Sequence, residues 1–231
     1  MHIYVFGSIC RGDVRQGSDI DLLALVDGYE ARFEPDVFSV YSYGRVAELW
    51  SEGNPFAWHL FLESKLIFAS DGSDFLNSLN SPVRYTACVQ DCEKFYGVFC
   101  EAYDSITSRS ASKVFELSTL FLSIRNIATC FSLGVTNNPD FSRNSARNLG
   151  KDRLPITNRP YTILERARIL STRGKGRPIT DKEVAETLLE LHTVKDWMEA
   201  LIAQARNYER VQKSNGRATA DSRVSQSEAT A

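Results

Sequence analysis

The chain has 231 residues, 43% hydrophobic and 24% charged, which is ordinary for a globular protein of one large or two small domains. A formal net charge of -2 argues against binding nucleic acid through overall positive charge, although it leaves a local basic patch open. Five scattered cysteines, no secretory signal and no apolar run long enough to span a bilayer together predict a cytoplasmic protein without membrane attachment.

The first third of the chain predicts alternating strands and helices. Three strands are predicted at "IYVF", "IDLLALV" and "VFSVYSY", followed by one helix-like run "VAELWSEGNPFAWHLFLES" and the apolar run "KLIFAS". His59 lies on an apolar face of that helix, where a packed core group is favoured over a ligand. Asp71-Gly72 then marks a break.

From Pro82 the pattern changes to long helical segments. They are predicted at 83–107, 110–133 and 180–209, with a shorter one near 161–171. Cys88, Cys92 and Cys100 fall near one face of the first, where core packing is favoured over a metal site. Residues 212–231 contain Ser, Ala, Thr and charges without an apolar period, which predicts a disordered tail.

A strongly basic stretch lies between these helices. Residues 143–178 contain ten Lys and Arg against two acids, in a nearly neutral protein. The excess either faces a phosphate or polyanion or belongs to a solvated loop, and both interpretations stay open.

The most specific pattern is "GSICRGDVRQGSDIDLLALVD", residues 7 to 27. Side chains alternate on a strand, so Asp19 and Asp21 share a face about 7 Å apart and can hold a hard divalent cation such as Mg²⁺ between them. Gly7 lets the backbone approach a phosphate closely, and the Ser8 hydroxyl can donate to phosphate oxygens. The order of these residues predicts a phosphate-binding turn beside a metal-binding pair of aspartates.

This run resembles the nucleotidyltransferase superfamily of the DNA polymerase beta type, and in detail its minimal antitoxin-like and aminoglycoside-modifying members. The resemblance implies an α+β fold, with a small mixed-sheet nucleotidyltransferase domain over 1–78 and an α-helical bundle over 82–210. It also implies transfer of AMP, or another NMP, from ATP or another NTP to an acceptor hydroxyl or phosphate, with release of pyrophosphate. Family members usually carry a helix before the strand that starts here at residue 3.

Carried over residue by residue, the resemblance assigns a triphosphate-binding turn to Gly7 and Ser8. Arg11 matches an Arg-Gly step, where contact with phosphate and a loop-holding role are both open. Ser18 precedes the first aspartate, as in the family, and is expected to cap the turn beside the nucleotide.

The metal site implied by the resemblance comprises Asp19, Asp21 and a third carboxylate, which would hold Mg²⁺ or Mn²⁺. We assign Asp36, at the start of "DVFSVYSY", as that third ligand and as the base for the acceptor hydroxyl. Glu34 and Asp27 are the alternatives.

The helical half resembles HEPN domains at "LSIRNIATCF", residues 122 to 131. Arg125 and Asn126 match the ribonuclease motif of that family, but Cys130 stands where its histidine would fall, so RNA cleavage is not predicted. For Arg125 we favour a buried structural role. The helical half is better compared with that of the aminoglycoside nucleotidyltransferases, in which helices form one wall of the acceptor site.

The acceptor stays open between a protein hydroxyl, a small molecule and an RNA end. Arg173, Lys175 and Arg177, carried on flexible glycines, could close over the triphosphate or the acceptor. A homodimer is a candidate assembly. The alternative function is a nucleotide-binding interaction module with weak catalysis, which docks a protein partner through its helical half.

Overall fold

The computed structural model describes residues 1–13, 20–28, 32–108, 112–136 and 138–228, with side chains described as far as residue 214. The chain divides into two compact units, Met1–Thr86 and Ala87–Ala231. The first unit extends a few residues past the 1–78 domain predicted from the sequence, because Val83 N donates to Trp50 O at 3.0 Å and holds this segment to the unit.

The first unit is built on a four-stranded sheet in the order β3-β2-β1-β4. β2 and β3 pair in parallel and the other pairs are antiparallel, so the sheet is mixed, as predicted. The elements in chain order are β1 (His2–Phe6), β2 (Asp21–Val26), β3 (Phe38–Ser42), α1 (Tyr43–Ser51), α2 (Pro55–Glu63), β4 (Ser64–Ala69) and α3 (Phe75–Ser78).

One face of the sheet carries the core of this unit. Alternate residues of β1 and β2 pack against the three helices, and each fully buried side chain contributes about 1.5–3 kcal/mol. The cluster consists of Tyr4, Phe6, Leu23, Leu25, Val46, Leu49, Trp50, Ala57, Leu60 and Leu76. The sheet is therefore fixed at β1 and β2, the two strands whose ends carry the predicted motif.

The single helix predicted before β4 is wrong, because the structure has two helices there. Gly53 breaks the run with a φ of +64°. Asn54 then caps α2, its side chain accepting from Phe56 N at 2.9 Å, and Pro55 occupies the first turn, where its missing N–H costs nothing. The break turns α2 back so that Ala57 and Leu60 reach the same core as α1.

The second unit is helical, as predicted. It contains α4 (Cys88–Thr107), α5 (Lys113–Phe131), α6 (Asn158–Arg173) and α7 (Asp181–Glu228). α5 contacts the other three helices, and its residues Leu117, Leu120, Ile124 and Ile127 are fully buried at helical spacing. This helix is the centre of the unit.

α5 and the short π-helical turn after it, Lys113–Thr136, are long and apolar enough to cross a membrane by length and composition, with a mean hydropathy of 1.3. The sequence-based expectation that no apolar run is long enough to span a bilayer is therefore wrong on length and composition. Because 67% of its apolar 18-residue window is buried inside the protein, packing against the neighbouring helices accounts for its apolar character.

The cysteines of this unit pack as small hydrophobic groups. Cys88 Sγ donates to Cys130 O at 3.4 Å and Cys92 Sγ donates to Ile127 O at 3.8 Å, and both side chains are buried between α4 and α5. All five cysteines are free thiols, of which Cys10 and Cys100 are half-buried. Core packing, favoured from the sequence, describes Cys88 and Cys92.

The last helix continues through the segment for which the sequence predicts disorder. The backbone of residues 212–228 is helical as the end of α7. This segment contains no proline and a single glycine, so nothing in it forces the helix to stop, although it also lacks the apolar period of residues 181–209.

α7 begins at a capping box. Thr180 N and Thr180 Oγ1 donate to Glu183 Oε2 at 3.0 and 3.1 Å, and Glu183 N donates to Thr180 Oγ1 at 3.3 Å. Arg166 and Arg177 both lie against Glu183 Oε1. The Thr180 amide, with Arg166 next in importance, lowers the pKa of Glu183 from its ordinary value of 4.5 to about 2.

The first prediction concerns Gly53. A Cβ at this residue would lie 2.5 Å from Val83 O and 2.7 Å from Arg84 O, in addition to the strain of its positive φ. We expect Gly53→Ala to lower the free energy of unfolding by about 3 kcal/mol or more. The measurement is a urea titration followed by tryptophan fluorescence, to which Trp50 and Trp58 of this unit and Trp197 of the helical unit contribute.

Gly72→Ala is the matched control. Gly72 has a φ of +73° with no described atom within 4 Å of the added Cβ, so it should cost only about 1–2 kcal/mol for the backbone conformation. Equal losses in the two variants would contradict the role given to the contact with residues 83 and 84.

The second prediction concerns pH. Because the folded-state pKa of Glu183 is depressed, its stabilising contribution is complete above the unfolded value near 4.5 and is lost as the pH falls toward 2. The stability difference between the wild type and Glu183→Gln should therefore be constant from pH 7 to 5 and shrink from pH 4.5 to 3. Thermal unfolding followed by circular dichroism measures it, and a difference that stays constant to pH 3 would refute the assignment.

Candidate active site

The pairing of β1 with β2 brings a glycine turn against a carboxylate. Phe6 lies opposite Asp21 in the antiparallel register, so Gly7, which follows β1, lies beside the start of β2. A Cβ built on Gly7 would be 2.8 Å from Asp21 Oδ2 and 3.8 Å from His59 Nε2. Gly7 also has a φ of +74°, which other residues rarely adopt. Both the backbone and the available space therefore require glycine here.

The predicted phosphate-binding turn, which begins at Gly7, is compact in the structure. Gly7–Ile9 form one turn of 3-10 helix, in which Cys10 N donates to Gly7 O at 3.0 Å. Asp13 N donates to Ser8 O, also at 3.0 Å, and closes the loop over Gly12. Gly7 is buried and Ser8 is half-buried, so the turn is fixed at its base against the sheet.

Three further side chains lie around this turn. Arg11 Nη1 is hydrogen-bonded to Glu63 Oε2 at the end of α2, and His59 Nε2 lies 2.9 Å from the same Glu63 oxygen. All three side chains are largely buried. Of the two roles left open for Arg11, this contact favours holding the loop, because Glu63 neutralises part of its charge. A contact of Arg11 with phosphate stays a prediction.

His59 and Glu63 border the candidate site and were not predicted from the sequence to do so. His59 is packed as expected, with its ring edge-on to Phe6 at 5.6 Å between centroids, yet it also borders Gly7, which the Asp21 carboxylate approaches too. The four-residue spacing on α2 places His59 and Glu63 on one face, and that spacing was visible in the sequence. Nothing in the sequence showed that this face meets the glycine turn.

Asp36 lies at the same end of the sheet as Asp21. β2 and β3 are parallel, with Leu22 opposite Phe38, so both strands begin at this end. Asp36 is exposed in the turn before β3, in which Val37 N and Phe38 N donate to Glu34 O at 3.0 and 2.9 Å. Its assignment as third carboxylate stays a prediction, and Glu34, in the same turn, stays an alternative.

Asp27, the other alternative, lies at the opposite end of β2. It is six positions after Asp21, which is about 20 Å along a strand. Asp27 instead helps to raise the pKa of the Tyr43 hydroxyl, after the larger effect of burial. The strand direction therefore separates Asp27 from the glycine turn.

Two of the predicted site residues, Ser18 and Asp19, lie outside the described residues. Among the side chains that are described, no group of three His, Cys, Asp or Glu is arranged to hold a metal ion. Asp21 is exposed at the start of β2, and its carboxylate oxygens are the hard donors that Mg²⁺ prefers. The donor chemistry of this residue fits the predicted metal.

The thiol of Cys10 also belongs to this turn. Cys10 Sγ donates to Val5 O at 3.4 Å. Burial raises the pKa of the Cys10 thiol, and the positive charge of Lys65 opposes part of that rise. Cys10 is therefore held mainly as a neutral thiol that supports the turn.

In the helical unit, much of the basic stretch 143–178 is engaged internally. Arg143 pairs with Glu165 at 3.1 Å, and Arg147 lies 4.0 Å from the centroid of the Tyr161 ring. Arg159 pairs with Glu186 at 2.8 Å, outside the stretch. These contacts account for part of the local excess of positive charge that the sequence shows.

Arg125 has the structural role favoured from the sequence. Its Nη2 donates to Phe141 O at 2.8 Å and its Nε to Ser142 O at 3.4 Å, while Ser145 Oγ donates to Arg125 O. Arg125 thus fastens the loop after α5 to that helix.

Comparison with known proteins bears on the first unit. Residues 2–79 match the family model described as a nucleotidyltransferase domain. The match covers the glycine turn, Asp21, Asp36 and the His59–Glu63 pair, and the helical unit lies outside it. No curated protein matches the chain. The match supports a nucleotidyltransferase domain in the first unit, with NMP transfer as its general chemistry.

Proposed function

We propose that this protein is a nucleotidyltransferase that uses Mg²⁺, or Mn²⁺, to transfer AMP or another NMP from an NTP to an acceptor. The observation that carries the proposal is the close approach of Asp21 Oδ2 to the backbone of Gly7. A carboxylate that can hold a cation and a turn that can receive phosphate lie side by side, inside a nucleotidyltransferase domain. We also place the protein in the cytoplasm, because its cysteines are free thiols.

In the proposed reaction, an acceptor oxygen forms a bond to the α-phosphorus of the NTP. The bond from that phosphorus to the oxygen bridging to the β-phosphate breaks, and its electron pair leaves with pyrophosphate. Where the acceptor is a hydroxyl, its proton passes to a carboxylate, for which Asp36 is the proposed base. Asp21 and Asp19 would hold a cation, which supplies charge stabilisation to the phosphates when bound.

The residues around Asp21 position it and the triphosphate. Gly7 and Ser8 would lie along the triphosphate, because the glycine backbone permits close approach. Glu63 holds both Arg11 and His59, and so fixes the loop on one side of Asp21. The acceptor is a protein hydroxyl, a small molecule or an RNA end, and the first experiment distinguishes these classes.

The third prediction is that Asp21→Asn lowers transfer about 100-fold or more without unfolding the protein, because an amide cannot replace a carboxylate as a cation ligand. Each α-labelled NTP is incubated with Mg²⁺ and the protein, alone and with cell lysate. Label on protein, RNA or small molecules is then resolved on denaturing gels and by thin-layer chromatography.

Asp27→Asn is the matched control, since Asp27 is an exposed aspartate at the far end of the same strand. It should transfer like the wild type. Undiminished transfer by Asp21→Asn would refute the assignment of Asp21 as a cation ligand. Nucleotide binding with no label on any acceptor and no pyrophosphate release would instead support the nucleotide-binding interaction module.

The fourth prediction concerns the glycine turn. Gly7→Ala should lower transfer at least about tenfold, because its Cβ would occupy space within 2.8 Å of Asp21 Oδ2 and displace that carboxylate. Gly12→Ala is the control, with an equal φ of +74° and no described atom within 4 Å. Equal rates for the two variants, measured by pyrophosphate release, would show that the contact between Gly7 and Asp21 does not matter.

A further inference from the structure

The helical unit contains a pocket of 540 Å³ between the first turns of α6, the loop before α7 and the start of α7. Its volume is in the range that holds small-molecule ligands. Ile163 gives it an apolar wall, and four basic side chains line it, Arg159, Arg166, Arg177 and Lys182. The pocket lies wholly within one unit.

The charges in this pocket do not balance. Arg166 and Arg177 share one carboxylate, that of Glu183, and Arg159 is paired with Glu186 at 2.8 Å. The four positive charges that line the pocket are therefore paired with only two carboxylates, Glu183 and Glu186. Glu183 is also held by the capping box of α7, so its negative charge serves the helix start as well as the two guanidinium groups. Positive charge therefore remains for a ligand.

Arg166 is the residue whose hydrogen bonds are incomplete. Its side chain is only 19% exposed, and its Nη2 forms an ion pair with Glu183 Oε1 at 2.8 Å. Within the described chain, its buried Nε has no hydrogen-bond partner. Buried donors without an acceptor are costly, and a guanidinium offers paired donors that match the oxygens of a phosphate. An anion in the pocket would supply acceptors when the guanidinium turns toward it.

We propose that this pocket binds a small phosphorylated molecule, with its phosphate between Arg166, Arg177 and Lys182. Guanidinium and ammonium groups together favour a doubly charged phosphate over a carboxylate. The limited volume and the net charge of -2 of the whole chain favour a small molecule over a nucleic acid. The proposal does not depend on nucleotidyl transfer, because every residue in it belongs to the helical unit.

The test uses the full chain and ribose 5-phosphate as the probe, with ribose as the uncharged control and inorganic phosphate as the minimal ligand. Isothermal titration calorimetry, or ¹H–¹⁵N chemical-shift titration if binding is weak, gives the dissociation constants. Ribose 5-phosphate and phosphate should bind and ribose should not. Absence of binding by both phosphate compounds at 10 millimolar, a concentration on the order of the weakest affinities worth measuring, would overturn the proposal.

Three variants place the binding in the pocket. Arg166→Gln and Arg177→Gln should each weaken binding about tenfold or more, and Arg177 is exposed enough that its loss leaves the fold intact. Arg153→Gln removes the same charge from an exposed residue that does not line the pocket, and should change binding less than about twofold. Equal weakening by all three variants would show a general charge effect and refute the site.

A 20-nucleotide RNA, added at the same salt concentration, is the last arm. Binding of RNA that is much tighter than that of ribose 5-phosphate, and that is lost with Arg166→Gln, would replace the small-molecule proposal with a nucleic-acid surface. Because no arm measures transfer, failure here leaves the nucleotidyl-transfer proposal untouched, and the converse also holds.

Discussion

The pairing of Phe6 with Asp21 is the constraint on which the candidate active site depends. It places the turn that ends β1 beside the carboxylate that begins β2. The same register directs Tyr4, Leu23 and Leu25 into the core, so a slip by one residue would expose that core as well as remove Asp21 from the turn. Hydrophobic burial therefore maintains the geometry of polar groups that contribute little to stability.

In the helical unit, charged groups pair with one another. From the sequence, the basic stretch 143–178 was interpreted as a solvated loop or a polyanion-binding surface, yet several of its arginines bind acids within the unit. Glu183 is the centre of this network, because a helix start and two arginines depend on one carboxylate. Such sharing leaves guanidinium groups incompletely paired beside a pocket, so the stability of the unit and its capacity to bind an anion arise from the same few residues.

The sequence predicted those features that follow from local pattern. Strand alternation predicted the sheet, and the order of Gly7, Asp19 and Asp21 predicted the nucleotidyltransferase domain that the family match to residues 2–79 supports, because each residue acts within a few positions of the next. The break at Gly53 was missed because both flanking runs have a helical period, although Gly53, Asn54 and Pro55 are local turn and capping signals. The approach of α2 to the glycine turn was also unpredictable, because it depends on packing across some fifty residues of chain.

The thiol of Cys10 has a practical consequence. Its hydrogen bond to Val5 O ties the glycine turn to β1, whereas Cys88 and Cys92 donate to carbonyls deep between two helices. A thiol reagent should therefore reach the buried pair only when the helices separate, but can reach Cys10 when the turn opens slightly. Since burial also raises the pKa of the Cys10 thiol, its alkylation at neutral pH should be slow and sensitive to any ligand that tightens the turn. Alkylation of Cys10, resolved from that of the half-buried Cys100 by peptide mass spectrometry, should therefore report on the state of the candidate active site.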